Sequence, residues 1–201
     1  LGWSVATAVD LNGDGFSDVF IGAVFYTNGE LEDGGAFVYH GSAGGLGASP
    51  AWSAESNQFN GGFGWSVATA GDVNGDGFSD VIVGARLYDN GQSGEGKAFV
   101  YHGSPGGLEA DPAWTAEPNQ AGAFFGTSVG TAGDVNGDGF SDVIVGAPLH
   151  DNGEIDEGRA YYYPGSAAGL ALDHFWTAES NQPQARLGEW AGTAGDVNGD
   201  G

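Results

Sequence analysis

Oxygen-bearing side chains recur at close, regular spacing in one short loop of this sequence. The stretch DVNGDGFSD carries them at positions 1, 3, 5 and 9, as Asp72, Asn74, Asp76 and Asp80. Gly77 at position 6 permits a sharp turn, and Phe78 at position 7 offers its backbone carbonyl. Oxygen ligands crowded in this way suit Ca²⁺ better than Mg²⁺, which demands a stricter octahedron. Because three such carboxylates would repel one another without a cation, the loop predicts a calcium site.

Two other interpretations of this loop involve no such site. Asp, Asn and Gly also dominate ordinary Asx-turns, so a single copy would indicate little. The stretch recurs at Asp10 as DLNGDGFSDV and at Asp134, and the sequence ends in DVNGDG, so the repetition favours a metal over turns alone. An EF-hand or dockerin loop needs an acidic ligand at position 12 and a following helix. Position 12 here is Ile21, Val83 or Val145, within an apolar run, which excludes those families.

The loops recur because the whole chain is built from a repeat of 62 residues. Residues 1–62, 63–124 and 125–186 align without a gap, and residues 187–201 restart the pattern. The segments LGWSVATA, FGWSVATA and FGTSVGTA superpose, as do GGAFVYHGS, GKAFVYHGS and GRAYYYPGS. We therefore predict three structural units and the beginning of a fourth.

Each unit contains four short β-type runs, at spacings too short for crossover helices. In the second unit they are Ser66–Ala70, Val81–Ala85, Ala98–His102 and a run around Trp114. The first is built of small residues that suit an innermost strand, and the second is apolar throughout and should be buried on both faces. This taper predicts an all-β fold, a β-propeller with one blade of four antiparallel strands per unit; a stacked solenoid is the alternative. Repeat-equivalent indoles should pack between the blades, namely Trp52, Trp114 and Trp176.

The repeat resembles a known family. The stretches FGWSVATAGDVNGDGFSDVIVGAR and FGTSVGTAGDVNGDGFSDVIVGAP are similar to the FG-GAP repeat of the integrin α-subunit propeller and its bacterial relatives. In that family the acidic loop joins the first two strands of a blade and binds Ca²⁺. The resemblance implies metal roles, with Phe acting through its carbonyl, for Asp10, Asn12, Asp14, Phe16, Asp18, Asp72, Asn74, Asp76, Phe78, Asp80, Asp134, Asn136, Asp138, Phe140 and Asp142. The last loop carries Asp196, Asn198 and Asp200 and ends before position 9, so the sequence contains only part of that site.

The chain departs from the family pattern at several positions and in its number of units. Leu1 and Leu187 replace the Phe of FG, and Val24 and Arg86 replace the Pro of GAP. Family propellers typically have seven blades, and three blades cannot close a ring. We therefore expect a piece of a longer propeller of about seven blades, whose partners are the remaining blades of the same chain; ring closure by neighbouring copies is the alternative.

Composition narrows the classes of partner. With 27 acidic residues against 4 Lys and Arg, the formal net charge of −23 leaves no basic patch for nucleic acid or an anionic membrane surface. Hydrophobic residues at 40% and aromatic residues at 12% favour a folded core over an acidic tail. No apolar run approaches the length of a membrane span. The family likeness favours an extracellular or cell-surface protein, and the absence of Cys is compatible with that location. The acidic excess is also typical of salt-adapted proteins.

Two connections vary most between the units and leave from the face opposite the acidic loops. They are residues 24–34, 86–96 and 148–158, and residues 59–62, 121–124 and 183–186. We interpret this face as the binding surface of an adhesion module for an extracellular protein, while unconstrained drift of surface loops is the alternative. A lectin that stacks a glycan on Trp3 and Trp65 is a second function class, and packing of both rings near the blade junction is their simpler interpretation. A passive spacer or filament component is the third.

Catalysis finds little support in the pattern. His40 and His102 share one repeat position, occupied by Pro164 in the third unit, and residues that recur once per blade favour a structural role. His150 and His174 are unique, yet the sequence places no nucleophile or metal cluster beside them. We therefore predict that the chain is not an enzyme.

Overall fold

The computed structural model describes residues 2–195, which form three four-stranded sheets and contain no helix. In blade 1 the strands are β1 (Ser4–Thr7), β2 (Val19–Ala23), β3 (Gly35–Tyr39) and β4 (Trp52–Glu55). Blade 2 contains β5 (Phe63–Gly71), β6 (Asp80–Ala85), β7 (Lys97–Tyr101) and β8 (Trp114–Ala116). Blade 3 contains β9 (Ser128–Gly133), β10 (Asp142–Ala147), β11 (Arg159–Tyr163) and β12 (Trp176–Glu179). The prediction of an all-β fold with four antiparallel strands per unit is confirmed, and the unit boundaries at residues 62, 124 and 186 stay predictions.

The strands of each blade run in sequence order from the inside outward. β1 contacts β5, and β5 contacts β9, so the first strands of the three blades lie side by side. Their small residues, such as SVAT in β1, allow this close approach. Every residue of β6 is buried, as the apolar run Val81–Ala85 predicts. The sheets therefore radiate from the first strands, as in a propeller.

The FG and GA elements of the repeat meet at each junction between blades. Gly84 in β6 lies so close to Gly126 of the next blade that a Cβ at Gly84 would collide with the Gly126 carbonyl oxygen. Ser66 Oγ donates a hydrogen bond of 2.8 Å to that same carbonyl. The same contact joins blade 1 to blade 2 and blade 3 to the segment that follows it, through Ser4 with Gly64 and Ser128 with Gly188. Glycine is required here because the two backbones touch.

The hydrophobic core lies between adjacent sheets. Phe63, where blade 2 begins, is fully buried with its ring 5.2 Å from that of Phe99, and Phe125 of blade 3 lies 5.2 Å from Tyr161. A parallel bridge joins Phe63 to Gly34 of the preceding blade. Each blade therefore begins by covering the blade before it.

Two of the three predicted tryptophan anchors pack between blades. Trp52 Nε1 donates to the carbonyl of Glu109 at 2.9 Å, with its ring 4.8 Å from Tyr101. Trp114 makes the equivalent contacts one blade later, with the Ala171 carbonyl at 2.8 Å and the Tyr163 ring at 4.8 Å. The prediction is wrong for Trp176, which is 53% exposed because the positions equivalent to these partners lie past the last residue of the sequence.

Candidate functional site

The carboxylate at position 1 of each acidic loop is surrounded by the amide groups of its own loop. We call residues 10–18, 72–80 and 134–142 metal loops 1, 2 and 3; each joins the first two strands of its blade. Asp72 Oδ1 accepts hydrogen bonds from the amides of Gly75 at 2.7 Å and Asp76 at 3.1 Å. Its Oδ2 accepts from the amide of Gly77 at 2.9 Å. In metal loop 1 the equivalent amides, Gly15 first, lower the pKa of Asp10, so this position is held as an anion.

Positions 3 and 5 lie against one another on the exposed side of the loop. Asn74 Oδ1 accepts from the amide of Asp76 at 2.9 Å, and Asn74 Nδ2 donates to Asp76 Oδ2 at 3.0 Å. Asp76 Oδ1 accepts from the amide of Phe78 at 2.9 Å. Metal loops 1 and 3 share the backbone bonds of this arrangement. Oxygens from positions 1, 3 and 5 are therefore gathered at one end of every blade.

Position 9 is fully buried and has a structural role that the sequence did not indicate. Asp80 Oδ2 accepts from the amide of Val73 at 2.8 Å, and Oδ1 accepts from the amide of Gly103 at 2.9 Å. Gly103 belongs to the connection between β7 and β8, so this carboxylate ties the metal loop to the outer half of its blade. Burial raises the pKa of Asp80 to about 6; the two amides lower it and the charge of Asp76 raises it.

The donor set fits a hard cation such as Ca²⁺. Every predicted ligand presents oxygen, from an Asp or Asn side chain or from the Phe carbonyl, and Ca²⁺ prefers oxygen; the position 1 carboxylate is already oriented by three amides. Across residues 2–195, no three acidic, histidine or cysteine side chains form a metal cluster by themselves. Each loop would therefore need its Asn side-chain oxygen and its Phe carbonyl to complete a coordination shell. Asp196, Asn198 and Asp200 of the last loop lie outside the described residues.

Successive metal loops contact one another across the blade junctions. The ring of Phe78 from metal loop 2 lies against Gly13 of metal loop 1, and that of Phe140 lies against Gly75. Metal loops 2 and 3 are also hydrogen-bonded, because the amide of Ser141 donates to the Asp72 carbonyl at 2.8 Å and Ser141 Oγ accepts from the Asp72 amide at 3.2 Å. The first ligand position of one loop is thus held by a residue of the next.

The opposite face carries the variable connections and several exposed apolar side chains. Phe25, Leu31 and Phe59 of blade 1 are each more than half exposed there, as is Ile155 of blade 3. Paired hydrogen bonds fix the connections in place, since Gln58 bonds both the amide and the carbonyl of Asp89. Gln120 bonds Asp151 in the same way one blade later.

Trp65 is less available for a glycan than the lectin interpretation requires. The guanidinium of Arg86 lies 3.3 Å from the centre of its ring, and the ring of Trp3 lies 4.7 Å away. Trp65 therefore packs within the protein, while Trp3 is 53% exposed. Arg86, which stands where the family pattern has Pro, is what covers the indole.

A polar cleft lies between blades 2 and 3 and contains both unique histidines. His150 and His174 both flank Tyr161, with ring centres 5.9 Å and 5.3 Å from its own. The cleft has a volume of about 380 Å³, and its lining includes Lys97, Glu117, His150, Arg159, Tyr161 and His174. We call it the junction cleft. No local sequence signal could reveal it, since its residues come from five separate segments of the chain.

Comparison with protein families matches the description FG-GAP repeat to residues 1–39, 63–101 and 125–163. These three segments make up more than half of the chain and contain all three complete metal loops. The chain belongs to the FG-GAP repeat family. In this FG-GAP chain the matched segments each span the first three strands of one blade.

Integrin α subunits are among its relatives. The FG-GAP chain is 30% identical over 182 residues to integrin alpha-5 of Xenopus laevis, covering 87% of this chain and 17% of that protein. It is 38% identical over 149 residues to human integrin alpha-7, covering 73% of this chain and 12% of that protein. Identity to integrin alpha-PS2 of Drosophila melanogaster is 36% over 171 residues, covering 79% and 12%. The chain thus spans less than a fifth of the length of these relatives.

A solved structure with a similar fold is an exotype rhamnogalacturonan lyase, YesX. It superposes with a TM-score of 0.50 at 14% identity and covers 91% of this chain and 34% of the lyase chain. At this level of identity the likeness concerns the fold alone. Among residues 2–195 there is no helix with the length and apolarity needed to cross a membrane.

Proposed function

We propose that this FG-GAP chain is a calcium-stabilised part of an extracellular propeller that binds a protein partner as an adhesion module. The observation that supports the calcium assignment is the repeated metal loop, in which the position 5 amide donates to side-chain oxygens of both position 1 and position 3 in all three blades. The residues that would hold the ion are those predicted from the sequence, with Asp18, Asp80 and Asp142 approaching from the buried side. A bound ion would supply positive charge at the centre of each loop.

Adhesion is the activity that best accounts for the opposite face. Exposed apolar side chains on connections held by hydrogen bonds are typical of protein-binding surfaces, and a passive spacer has no need of them. The kinship with integrin α subunits supports an extracellular or cell-surface location and a non-enzymatic role.

Thermal unfolding with and without chelator tests the calcium assignment. Extracellular Ca²⁺ modules bind at about 10⁻⁴–10⁻³ M, so at roughly millimolar calcium each site would stabilise the fold by about 0.4–1.4 kcal/mol. Chelation should lower the melting temperature, and added Ca²⁺ should restore it more effectively than Mg²⁺. Identical melting curves in chelator and in millimolar calcium would refute the assignment.

Surface variants test the adhesion face. The triple variant Phe25→Ser, Leu31→Ser and Phe59→Ser removes the apolar side chains of blade 1, and Leu46→Ser is its control. Leu46 is 54% exposed in the connection between β3 and β4, at the opposite end of the blade. The immobilised chain should retain a protein from the extracellular fraction of the producing cells, and only the triple variant should lose it. Equal retention by both variants would contradict a binding role for this face.

A further inference from the structure

Three departures from the 62-residue repeat meet at one blade junction. Between blades 1 and 2 the repeat places Tyr88, Phe99 and Pro112. Between blades 2 and 3 the equivalent positions carry His150, Tyr161 and His174. Three exchanges of one kind, each adding a polar atom or an imidazole, therefore meet in the junction cleft. Independent drift at separate surface positions would not place them around one cavity.

Two polar atoms of the junction cleft are buried without a hydrogen-bond partner among residues 2–195. They are Nδ1 of His150, which is only 7% exposed, and Nε of Arg159. An unpaired buried polar group costs about 1–3 kcal/mol, so such atoms are normally satisfied by a ligand or by water. The cavity of about 380 Å³ lies within the range of small-molecule sites.

The charges of the cleft exclude an anionic ligand. Lys97 pairs with Glu117 at 3.4 Å, and Arg159 pairs with Glu179 at 2.7 Å, so both cations are already neutralised. Burial lowers the pKa of His150, as does the charge of Arg159, and the ring is therefore neutral at pH 7. Asp173 adds a further negative charge to the lining. A metal ion is equally disfavoured, because the described residues form no cluster of three metal-ligating side chains.

We propose that the junction cleft binds a neutral pyranose sugar. Sugar hydroxyls both donate and accept, which matches Nδ1 of His150 in either tautomer, the Nε–H donor of Arg159 and the carboxylate of Glu117. Burial raises the pKa of Tyr161 to about 12, which keeps its hydroxyl protonated next to this set. The exposed ring of His174 adds aromatic surface against which pyranose C–H groups would pack. This site is distinct from the Trp3 and Trp65 pair at the inner strands.

Histidine-detected NMR of the calcium-loaded chain tests the proposal. The probes are glucose, galactose, mannose, fucose, N-acetylglucosamine and N-acetylgalactosamine, each titrated to roughly 50 mM to populate a millimolar site. At least one sugar should shift the imidazole signals of His150 and His174 in a saturable way, while those of His40 stay unchanged. If no sugar shifts either signal, the cleft is a water-filled junction and the proposal fails.

A variant that restores the repeat provides the matched control. His150→Tyr, Tyr161→Phe and His174→Pro together recreate the residues that already pack between blades 1 and 2, so the fold should be retained. Sugar binding, followed by saturation-transfer NMR, should weaken at least about tenfold. Undiminished binding in this variant, or loss of binding in Trp3→Ala instead, would overturn the assignment. If the triple variant does not fold, the exposed single change His174→Pro gives the same comparison.

Discussion

Single carboxylates of the metal loop perform two different tasks. Asp76 is exposed and bonded within its own loop, whereas Asp80 is buried and accepts the amides of Val73 and Gly103. Asp80→Ala would leave two buried amides unpaired, at about 1–3 kcal/mol each, with or without calcium. Asp76→Ala should instead reduce the gain in stability on adding calcium and leave the chelated protein nearly unchanged. Urea unfolding of both variants, in chelator and in millimolar calcium, separates the structural role of Asp80 from the calcium-dependent role of Asp76.

If Asp76→Ala and Asp80→Ala lower the unfolding free energy equally in chelator, position 5 also has a structural role. Asp142→Ala offers a second test of position 9, because Tyr162 donates a further hydrogen bond to that carboxylate at 2.7 Å. Asp142→Ala should therefore lower the unfolding free energy at least as much as Asp80→Ala does.

The tryptophan anchors should differ in energetic weight although they share one repeat position. Trp114 is 4% exposed and bonded to the next blade, so Trp114→Ala should cost about 3–5 kcal/mol of unfolding free energy. Trp176→Ala should cost clearly less in this chain because that ring is half exposed. Chemical denaturation of both variants makes the comparison, and similar losses would argue against packing between blades as the origin of the effect.

His150 should make stability depend on pH. Its pKa is lowered by burial and by Arg159, while Glu179, Asp151 and Glu157 act in the opposite direction. The unfolded chain therefore takes up the proton more readily, and stability is lost as pH falls below the unfolded value of about 6.5. His150→Tyr, which copies Tyr88, should flatten the change in melting temperature between about pH 7 and pH 5. An unchanged pH profile would show that other groups dominate in this range.

At the scale of elements, the strands could be predicted from the local sequence pattern, whereas the sites between blades could not. Val81–Ala85 is short, apolar throughout and placed by the repeat spacing between turns, which predicted the strand buried on both faces that the structure contains. The junction cleft depends on residues from separate segments that meet only when two blades pack. The same holds for position 9, whose buried role became visible only with Gly103 beside it.

The hydrogen bonds between metal loops 2 and 3 predict that their ions bind interdependently. Ser141→Ala removes the Oγ that accepts from the Asp72 amide and leaves the backbone bond intact. The calcium affinity of metal loop 2 should fall about two- to tenfold, the equivalent of one hydrogen bond. Ser79→Ala is the control, since within residues 2–195 Ser79 makes no such bond to metal loop 1. Calorimetric titration that gives equal affinities for both variants would show that the loops act independently.

At the scale of the whole molecule, repulsion between negative charges opposes folding. The formal charge of −23 is balanced locally by only two ion pairs among residues 2–195. The chain has only four Lys and Arg side chains, and one of them, Arg86, covers the Trp65 ring. Three calcium ions would add six positive charges and reduce the formal charge from −23 to −17. Calcium bound in the metal loops would thus act on the molecule as a whole as well as on each turn.

Monovalent salt should therefore substitute in part for calcium. Raising ionic strength from about 0.01 M to about 1 M shortens the screening length from about 30 Å to about 3 Å, which weakens repulsion between the exposed carboxylates. In chelator, this increase should raise the melting temperature markedly. In millimolar calcium the same increase should have a smaller effect, because the closest carboxylates in each metal loop are already neutralised. A salt response of equal size in both conditions would mean that the repulsion relieved by salt lies outside the loops, and that calcium stabilises the blades through local geometry alone.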